Sequence, residues 1–560
     1  MTGTLRVGNA SGFYGDRFTA WREMLDGGRL DVLTGDYLAE LTMLILGRDR
    51  MRDAASGYAR TFLRQMEQCL GTALDRGVKI VSNAGGLSPS GLADALRALG
   101  LDAKIGFVDG DDVSAQFPDA LAANAYLGAF GIAECLRAGA DVVVTGRVTD
   151  ASLVVGAAAA HFGWSRDDLD ALAGATVAGH VLECGAQATG GNFAFFTELP
   201  DGGRRPGFPV AELHADGSAV ITKHPGTGGA VTRETVTAQL LYEIGAPAYL
   251  GPDVVAHVDT IRLSDAGPDR VLIGGVRGSA PPPTLKVGVN TLAGYRNAMT
   301  FVLCGTDIEA KAALARTQLV DAVGADGLEF VLARTDHPDA DTEETASALL
   351  HVHVADTDAR RAGRAFSQAA VELALASYPG FTLTGPPGDA TPVGVFTTAS
   401  VPQDSVAHAA VLPSGERVEI APPEIVTTSG KSRGSTPGRS TTRRVPLGTI
   451  AGARSGDKGG DANLGIWGRD QAGFEWLRTF LTVERLRELL PETASRDVDR
   501  YELPNLRALN FVVHGLLGRG VAASTRFDPQ AKALGEWLRS RLVDVPEELL
   551  RAARAEQVEV

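Results

Sequence analysis

The chain has 560 residues, of which 53 are Lys or Arg and 68 are Asp or Glu, so that its net charge is −15. Such an acidic chain is disfavoured as a non-specific partner of nucleic acid or of an anionic membrane. A hydrophobic content of 44% with 22% charged residues excludes disorder as its main state. The four cysteines are too sparse for a disulfide framework, and neither a signal-peptide pattern nor a run of about 18 apolar residues occurs. We therefore expect a cytoplasmic protein that uses neither a membrane nor nucleic acid.

The N-terminal part repeats one pattern: a β-branched run, a polar or Gly-rich turn, and an amphipathic helical stretch. Strands are predicted at Leu5–Val7, Val78–Val81, Lys104–Val108 and Asp141–Val144. Right-handed crossovers between parallel strands bring the loops that follow them to one edge of a sheet. The sequence therefore predicts an α/β fold with a largely parallel doubly wound sheet and a ligand site at this edge.

Composition predicts three segments. Residues 1–429 form an α/β body, within which boundaries between 190 and 430 are not assigned. Residues 430–445 are rich in Gly, Ser, Thr and Pro, contain five basic and no acidic residues, and are predicted to be a linker. Residues 446–555 alternate strands and helices in an order close to ββαβα, which fits an α+β sandwich of ferredoxin-like type.

Loops after three of the predicted strands supply candidate substrate- or anion-binding residues. They are Asn9, Ser11 and Gly12 after the first strand, Asn83, Gly85 and Gly86 after the second, and Thr145 and Arg147 after the fourth. An Arg at the end of a strand beside a helix N-terminus is suited to hold an anion. The alternative is that the glycines form tight turns and that Arg147 makes an internal salt bridge with Asp109 or Asp150.

The turn from Arg454 to Asn463 has the highest density of functional residue types. Arg454 and Lys458 supply positive charge, and three glycines would let backbone N–H groups face an anion. Asn463 completes this binding set. The turn lacks the Walker A pattern, and the alternative is a Gly-rich hairpin whose Asp and Lys pair at the surface.

Four residues are predicted to be catalytic: Asp457, Lys458, Asp150 and Glu183. Glu183 shares a helix face with His180, Cys184 and Gln187, a set suited to acid–base chemistry. We predict no metal site. Weaker alternatives are a metal on the His180 face and Mg²⁺ bound by the three aspartates between 109 and 112.

Several long strings resemble the acyclic terpene utilisation protein A (AtuA) family, among them IVSNAGG, DVVVTGRVTDASL, GHVLECGAQATGGNF and RSGDKGGDANLGIWG. The resemblance covers an N-terminal part, residues 3–445, and a ferredoxin-fold part, residues 446–550. It implies the bacterial breakdown of citronellol- and geraniol-type acids, handled as CoA thioesters beside acyl-CoA carboxylases and hydratases. It implies no particular catalytic residues.

We expect an enzyme of branched-chain or acyclic terpenoid acid metabolism that acts on a carboxylate or an acyl-CoA, with hydratase or other lyase chemistry. Two alternatives stay open: a non-catalytic acyl-CoA-binding or scaffold subunit for an acyl-CoA carboxylase, and an Mg-ATP-dependent enzyme that activates an acid. The expected partners are a small-molecule substrate, an acyl-CoA carboxylase and further copies of the chain. No cofactor is identified, and a CoA thioester is considered as a substrate.

Overall fold

The computed structural model describes residues 3–53, 55–423 and 442–556. The chain divides into two compact units, one of Met1–Asn290 with Phe396–Val560 and the other of Thr291–Val395. Within the described residues, no helix is both long and apolar enough to cross a membrane.

The first 280 residues contain thirteen described strands and eight described α-helices. The strands are β1 (Leu5–Asn9), β2 (Val32–Gly35), β3 (Lys79–Ser82), β4 (Ile105–Asp109), β5 (Ala122–Ala125), β6 (Val142–Thr145), β7 (Pro209–Leu213), β8 (Ala219–Lys223), β9 (Ala248–Leu250), β10 (Val255–His257), β11 (Arg262–Asp265), β12 (Val271–Gly274) and β13 (Arg277–Ser279). The helices are α1 (Ala20–Gly27), α2 (Glu40–Arg52), α3 (Arg60–Asp75), α4 (Pro89–Arg97), α5 (Phe130–Arg137), α6 (Ser152–Phe162), α7 (Leu169–Glu183) and α8 (Arg233–Leu240).

The second unit is an antiparallel sheet with its own core. Its elements are β14 (Thr284–Cys304, which begins in the first unit), α9 (Ile308–Val323), β15 (Leu328–Ala333), β16 (Ser347–Asp356), α10 (Phe366–Glu372), β17 (Thr382–Leu383) and β18 (Thr391–Pro402, which ends in the first unit). The strand order is β15-β16-β14-β17. Phe301 and Phe366 are buried between this sheet and the two helices.

The large sheet of the first unit confirms the α/β class. Within the described residues it has eleven strands in the order β11-β12-β8-β7-β1-β2-β3-β6-β4-β19-β20, where β19 is Ala409–Val411 and β20 is Arg417–Glu419. The five strands from β1 to β4 in this order are parallel. The strands on both sides of them pair antiparallel, so the parallel part is smaller than predicted.

Side chains of the central strands alternate between two cores, as doubly wound sheets require. Val81 and Val143 lie in one core with residues of α6 and α7. Ile80 and Val142 lie in the other core with residues of α3 and α4. The carboxyl ends of the parallel strands therefore lie between two helical layers, at one edge of the sheet.

The C-terminal module is built around four antiparallel strands in the order β22-β23-β25-β24. Its elements are β21 (Thr442–Pro446), β22 (Ala451–Lys458), β23 (Asp461–Gly468), α11 (Gln471–Phe480), α12 (Val483–Leu489), β24 (Val498–Leu503), β25 (Ala508–Val513), α13 (Leu534–Ser540), β26 (Leu542–Pro546) and α14 (Glu547–Glu556). Residues 430–441 of the predicted linker lie outside the described residues. Its last four residues belong to β21, which pairs with β26, so they are strand rather than linker. The other segment boundaries stay predictions.

Glycines let the module pack closely on the residues that follow α8. A Cβ atom on Gly456 would lie 2.5 Å from the Tyr242 ring, and one on Gly465 would lie 2.6 Å from Leu241 Cβ. Real Cβ atoms do not approach so closely, so both positions require glycine. Trp467 of the module is buried in the same core as Leu241.

We expect Gly465→Ala to lower the free energy of unfolding by about 1–3 kcal/mol, because its Cβ would overlap the rigid base of the Leu241 side chain. Gly274→Ala, also in a strand, is the matched control: its Cβ meets no atom within 4 Å. The control should change this free energy by less than about 0.5 kcal/mol. Chemical denaturation measures both, and equal stabilities for the two variants would contradict this close packing.

Candidate functional site

The edge of the parallel sheet and the hairpin β22–β23 of the C-terminal module meet at one charged cleft. Its ionisable residues are Asp36, Glu40, Arg147, Asp150, Glu183, Glu243, Lys286, Asp457 and Lys458. Burial raises the pKa of Glu40, but the charges of Lys286, Arg147 and Lys458 outweigh it and hold this pKa below its ordinary value. Cations from the body and from the module therefore act on the same carboxylate. The structure brings together the predicted residues Arg147 and Lys458.

Arg147 is held in place by several contacts. Its Nη1 donates to Asp150 Oδ1 at 2.7 Å and to the Leu38 carbonyl at 3.0 Å, and its guanidinium carbon lies 4.2 Å from the centre of the Tyr126 ring. The side chain is only 5% exposed. Of the two carboxylates considered from the sequence, Asp150 is the partner, because Asp109 pairs with Arg417 instead. Arg147 therefore stabilises the site internally while its positive charge faces the cleft.

Asp36 follows β2 and is a buried acid. Asn83 Nδ2 donates to Asp36 Oδ1 at 2.5 Å, and Asn83 Oδ1 accepts the Tyr37 N–H at 2.7 Å. Burial and the negative charge of Asp150 raise the pKa of Asp36 well above its usual range. Burial therefore favours the protonated form of Asp36, and Asn83 fixes its orientation.

Glu183, at the end of α7, is a second buried carboxyl group with a raised pKa. Its Oε1 lies 3.0 Å from His180 Nδ1, and its buried Oε2 has no hydrogen-bond partner among the residues that the structure describes. Burial, with the charge of Asp150, raises the pKa of Glu183, while burial lowers that of His180 to about 4. The imidazole is therefore neutral at pH 7, and the raised pKa of Glu183 favours the protonated carboxyl, which can donate to a ligand.

The predicted binding turn from Arg454 to Asn463 is a two-stranded hairpin, the alternative considered from the sequence, and anion binding by its backbone stays a prediction. Lys458 pairs with Asp461 across the two-residue turn Gly459-Gly460, and the ladder continues to the other end of both strands. Gly459 has φ 67°, as such turns require. The hairpin contributes its side chains to the cleft, and most of its backbone donors are directed into the sheet.

Asp457 and Lys458 lie where β22 ends at the cleft. Burial, with the charges of Glu243 and Glu40, raises the pKa of Asp457 to about 7. The Lys458 ammonium is accessible to water, but the surrounding protein and the charge of Lys286 lower its pKa. Both groups can therefore exchange protons closer to neutral pH than free side chains do.

The Tyr242–Glu243 turn joins the module to the body. Asn463 Oδ1 accepts the Glu243 N–H at 2.8 Å, and Lys458 Nζ donates to the Glu243 carbonyl at 3.1 Å. Arg454 stacks on the Tyr242 ring at 4.5 Å. Glu243 has φ 56°, a conformation that a non-Gly residue keeps only when its surroundings hold it. Two of the predicted binding residues, Arg454 and Asn463, therefore position this turn.

The remaining predicted binding residues build the sheet edge. Asn9 Nδ2 donates to the carbonyls of Leu182 and Glu183, and a Cβ on Gly12 would lie 2.6 Å from the Cys184 carbonyl carbon. The Ser11 hydroxyl donates to the Phe13 carbonyl, and the Thr145 hydroxyl donates to the Gly146 carbonyl. Gly85 packs on the Thr145 carbonyl, and Gly86 has φ 53°. Asn9 and Gly12 thus hold the end of α7, and with it Glu183. Direct contact of these residues with a ligand stays a prediction.

An apolar groove opens directly beside Asp457. The groove is lined by four large apolar side chains, those of Leu41, Leu44, Phe396 and Val521. Its other lining residues are Glu40, Asn290, Asp457, Gly459, Gly520 and Ala522. Walls of this kind suit an apolar group of a ligand, and the carboxyl groups at one end suit a polar one.

Metal-ligand geometry is not found in the described part of the chain, where no three His, Cys, Asp or Glu residues lie close enough to share an ion. Asp111 instead accepts the Arg147 N–H and the Asn124 side-chain amide, both at 2.8 Å. Asp112 accepts the Ser114 N–H. Of the aspartates considered for Mg²⁺, Asp111 thus supports the loop that carries Arg147.

Four ionisable residues of the cleft were not predicted from the sequence: Asp36, Glu40, Glu243 and Lys286. Asp36 and Glu40 follow β2, a strand that we did not predict. The strand-end rule, by which the loops after parallel strands meet at one edge of the sheet, would have identified both residues if β2 had been predicted. Glu243 and Lys286 follow no parallel strand. Only the tertiary fold shows that they belong to the cleft.

We expect Arg147→Ala to lower the free energy of unfolding by about 1–3 kcal/mol, because it leaves the Leu38 carbonyl and Asp150 without their donor. Arg417→Ala removes the exposed pair with Asp109 and should cost less than about 0.5 kcal/mol. Urea denaturation of both variants measures the difference. Equal losses would mean that Arg147 has no internal structural role.

Comparison with known proteins agrees with this architecture. The family model described as acyclic terpene utilisation family protein AtuA matches residues 5–412, and the model described as AtuA ferredoxin-like domain matches residues 445–544. No protein of curated function matches the sequence. Because the first match alone covers more than half of the chain, this protein belongs to the acyclic terpene utilisation family AtuA.

Proposed function

We propose that this protein is a hydratase or a related lyase that acts on branched, acyclic terpenoid-type acids or their CoA thioesters. The observation that carries the proposal is the apolar groove that ends at Asp457 and Glu40, within reach of the charges of Lys286 and Lys458. Water addition to a conjugated acid needs an apolar site for the chain, a proton acceptor, a proton donor and cations for the developing oxyanion. The lining of the groove and the charged residues of the cleft support each of these roles.

The residues divide this chemistry as follows. Asp457, with its pKa of about 7, accepts a proton from water as the oxygen bonds to the β-carbon of the substrate. The π electrons move toward the carbonyl oxygen, where Lys458 stabilises the enolate. Glu183, whose raised pKa favours its protonated form, then delivers a proton to the α-carbon. One water molecule is added in total, and the reverse sequence eliminates it.

Asp150 supports this chemistry from beside Arg147. It neutralises the guanidinium, and its negative charge raises the pKa of Asp36 and of Glu183. Removing that charge would make both acids easier to ionise. Asp150 is therefore proposed to keep the proton on Glu183.

We expect the purified protein to convert geranyl-CoA or a short branched enoyl-CoA, or the corresponding free acids, into a product heavier by one water. Mass spectrometry in ¹⁸O-labelled water detects the new C–O bond directly. Asp457→Asn should lower the rate about 10²–10⁴-fold, whereas Asp544→Asn, an exposed aspartate in β26 of the same module, should not change it. If the protein binds these compounds without labelling them, it is a binding subunit and the proposal fails.

The pH profile of kcat/KM provides a separate test. If ionised Asp457 is the base, activity is retained above its pKa of about 7 and declines as the pH falls below it. Asp457→Asn should abolish this decline between pH 6 and about 8, while Asp544→Asn keeps it. A wild-type profile that is flat through this range would contradict the assignment.

A further inference from the structure

Three cations of the C-terminal module approach the Tyr242–Glu243 turn and contact neutral groups there. Lys458 Nζ donates to the Glu243 carbonyl at 3.1 Å, and Lys532 Nζ donates to the Tyr242 hydroxyl at 2.8 Å. Arg454 donates to the Gln187 side-chain carbonyl and stacks on Tyr242. In residues 3–53, 55–423 and 442–556, no carboxylate oxygen lies within 4.0 Å of these three charged groups.

The other two cations of the cleft already have anionic partners. Arg147 Nη1 lies 2.7 Å from Asp150 Oδ1, and Lys286 Nζ lies 3.9 Å from Glu40 Oε1. Lys286 also lies over the Tyr126 ring at 4.6 Å. A new anion at either position would compete with a carboxylate that is present.

Lys458 is the module cation best placed for a ligand. Arg454 is buried beneath Tyr242, whereas Lys458 is exposed to water within the cleft. It follows Asp457 directly in the chain, and both act on Glu40. An anion bound by Lys458 therefore lies at the reacting end of a substrate whose hydrocarbon chain occupies the groove.

On the basis of the proposed function, we infer that Lys458 is the recognition site for a substrate carboxylate, so that the substrate class is branched acids with an ionised carboxyl group at the reacting end. The phosphates of CoA do not meet this requirement. They are separated from the thioester carbonyl by the whole pantetheine arm, whereas Lys458 is adjacent to the proposed base. A carboxylate would supply the anionic partner that Lys458 lacks, and a charge-assisted hydrogen bond of this kind discriminates against neutral analogues.

Isothermal titration with senecioate and with senecioamide tests this inference, because the two probes share the branched chain and differ in charge. We expect the carboxylate to bind the wild-type protein at least about tenfold more tightly than the amide. Lys458→Met should remove that preference and leave the affinity for the amide within about twofold. Lys104→Met, at the amino end of β4 and away from the cleft, should keep the wild-type preference.

Equal affinities of the wild-type protein for the two probes, no binding of senecioate at millimolar concentration, or an unchanged preference in Lys458→Met would each overturn the inference. Thermal melting of Lys458→Met confirms that the variant is folded. The outcomes for binding and for turnover are separable: Lys458-dependent carboxylate binding without hydration rejects only the proposed reaction. Hydration of thioesters without any carboxylate preference rejects only the inference about Lys458.

Discussion

The cleft depends on one contact, the docking of hairpin β22–β23 on the Tyr242–Glu243 turn. Asn463 accepts the Glu243 N–H and Lys458 donates to the Glu243 carbonyl, so both polar groups of this peptide segment are satisfied by the module. The absence of a side chain at Gly456 lets the Tyr242 ring lie against the hairpin. The same contact fixes where the hairpin ends, and there the charge of Lys458 acts on Glu40 and that of Glu40 on Asp457.

Carboxyl groups of the same type have pKa values shifted in opposite directions in this small space. The charges of three cations lower the pKa of Glu40, whereas burial and the charge of Asp150 raise the pKa of Glu183. Asp457 lies between these extremes, with a pKa of about 7. Acid–base enzymes use such differences to assign separate donor and acceptor roles to chemically similar side chains.

Much of the fold, and part of the site, could be predicted from local patterns. The strand-end rule located Asn83, Thr145 and Arg147 correctly at one edge, because parallel topology follows from local βαβ signals. The same reasoning could not separate residues that face the cleft from residues that support it. Asn9 satisfies backbone carbonyls of α7, which is a long-range contact that no local pattern records.

Two parts of the site that could not be predicted from the sequence, the hairpin β22–β23 and the residues Glu243 and Lys286, have a common physical origin. The glycines between Arg454 and Asn463 indicated a loop, but Gly456 is required by packing against Tyr242 and not by a turn. Glu243 and Lys286 enter the cleft through tertiary contacts with partners far away in the chain. Local sequence encodes conformation, whereas these residues owe their role to what lies against them after folding.

The long sequence separation between the two sides of the docking contact has a consequence for synthesis of the protein. Glu243 and Lys458 are 215 residues apart. At translation rates of about 5–20 residues per second, Tyr242 and Leu241 leave the ribosome about 10–40 s before the hairpin that covers them. During that interval the nascent body carries an uncovered apolar surface beside a polar cleft. Chaperones that bind apolar segments therefore have a defined window on this chain, which closes when the last module folds onto the turn.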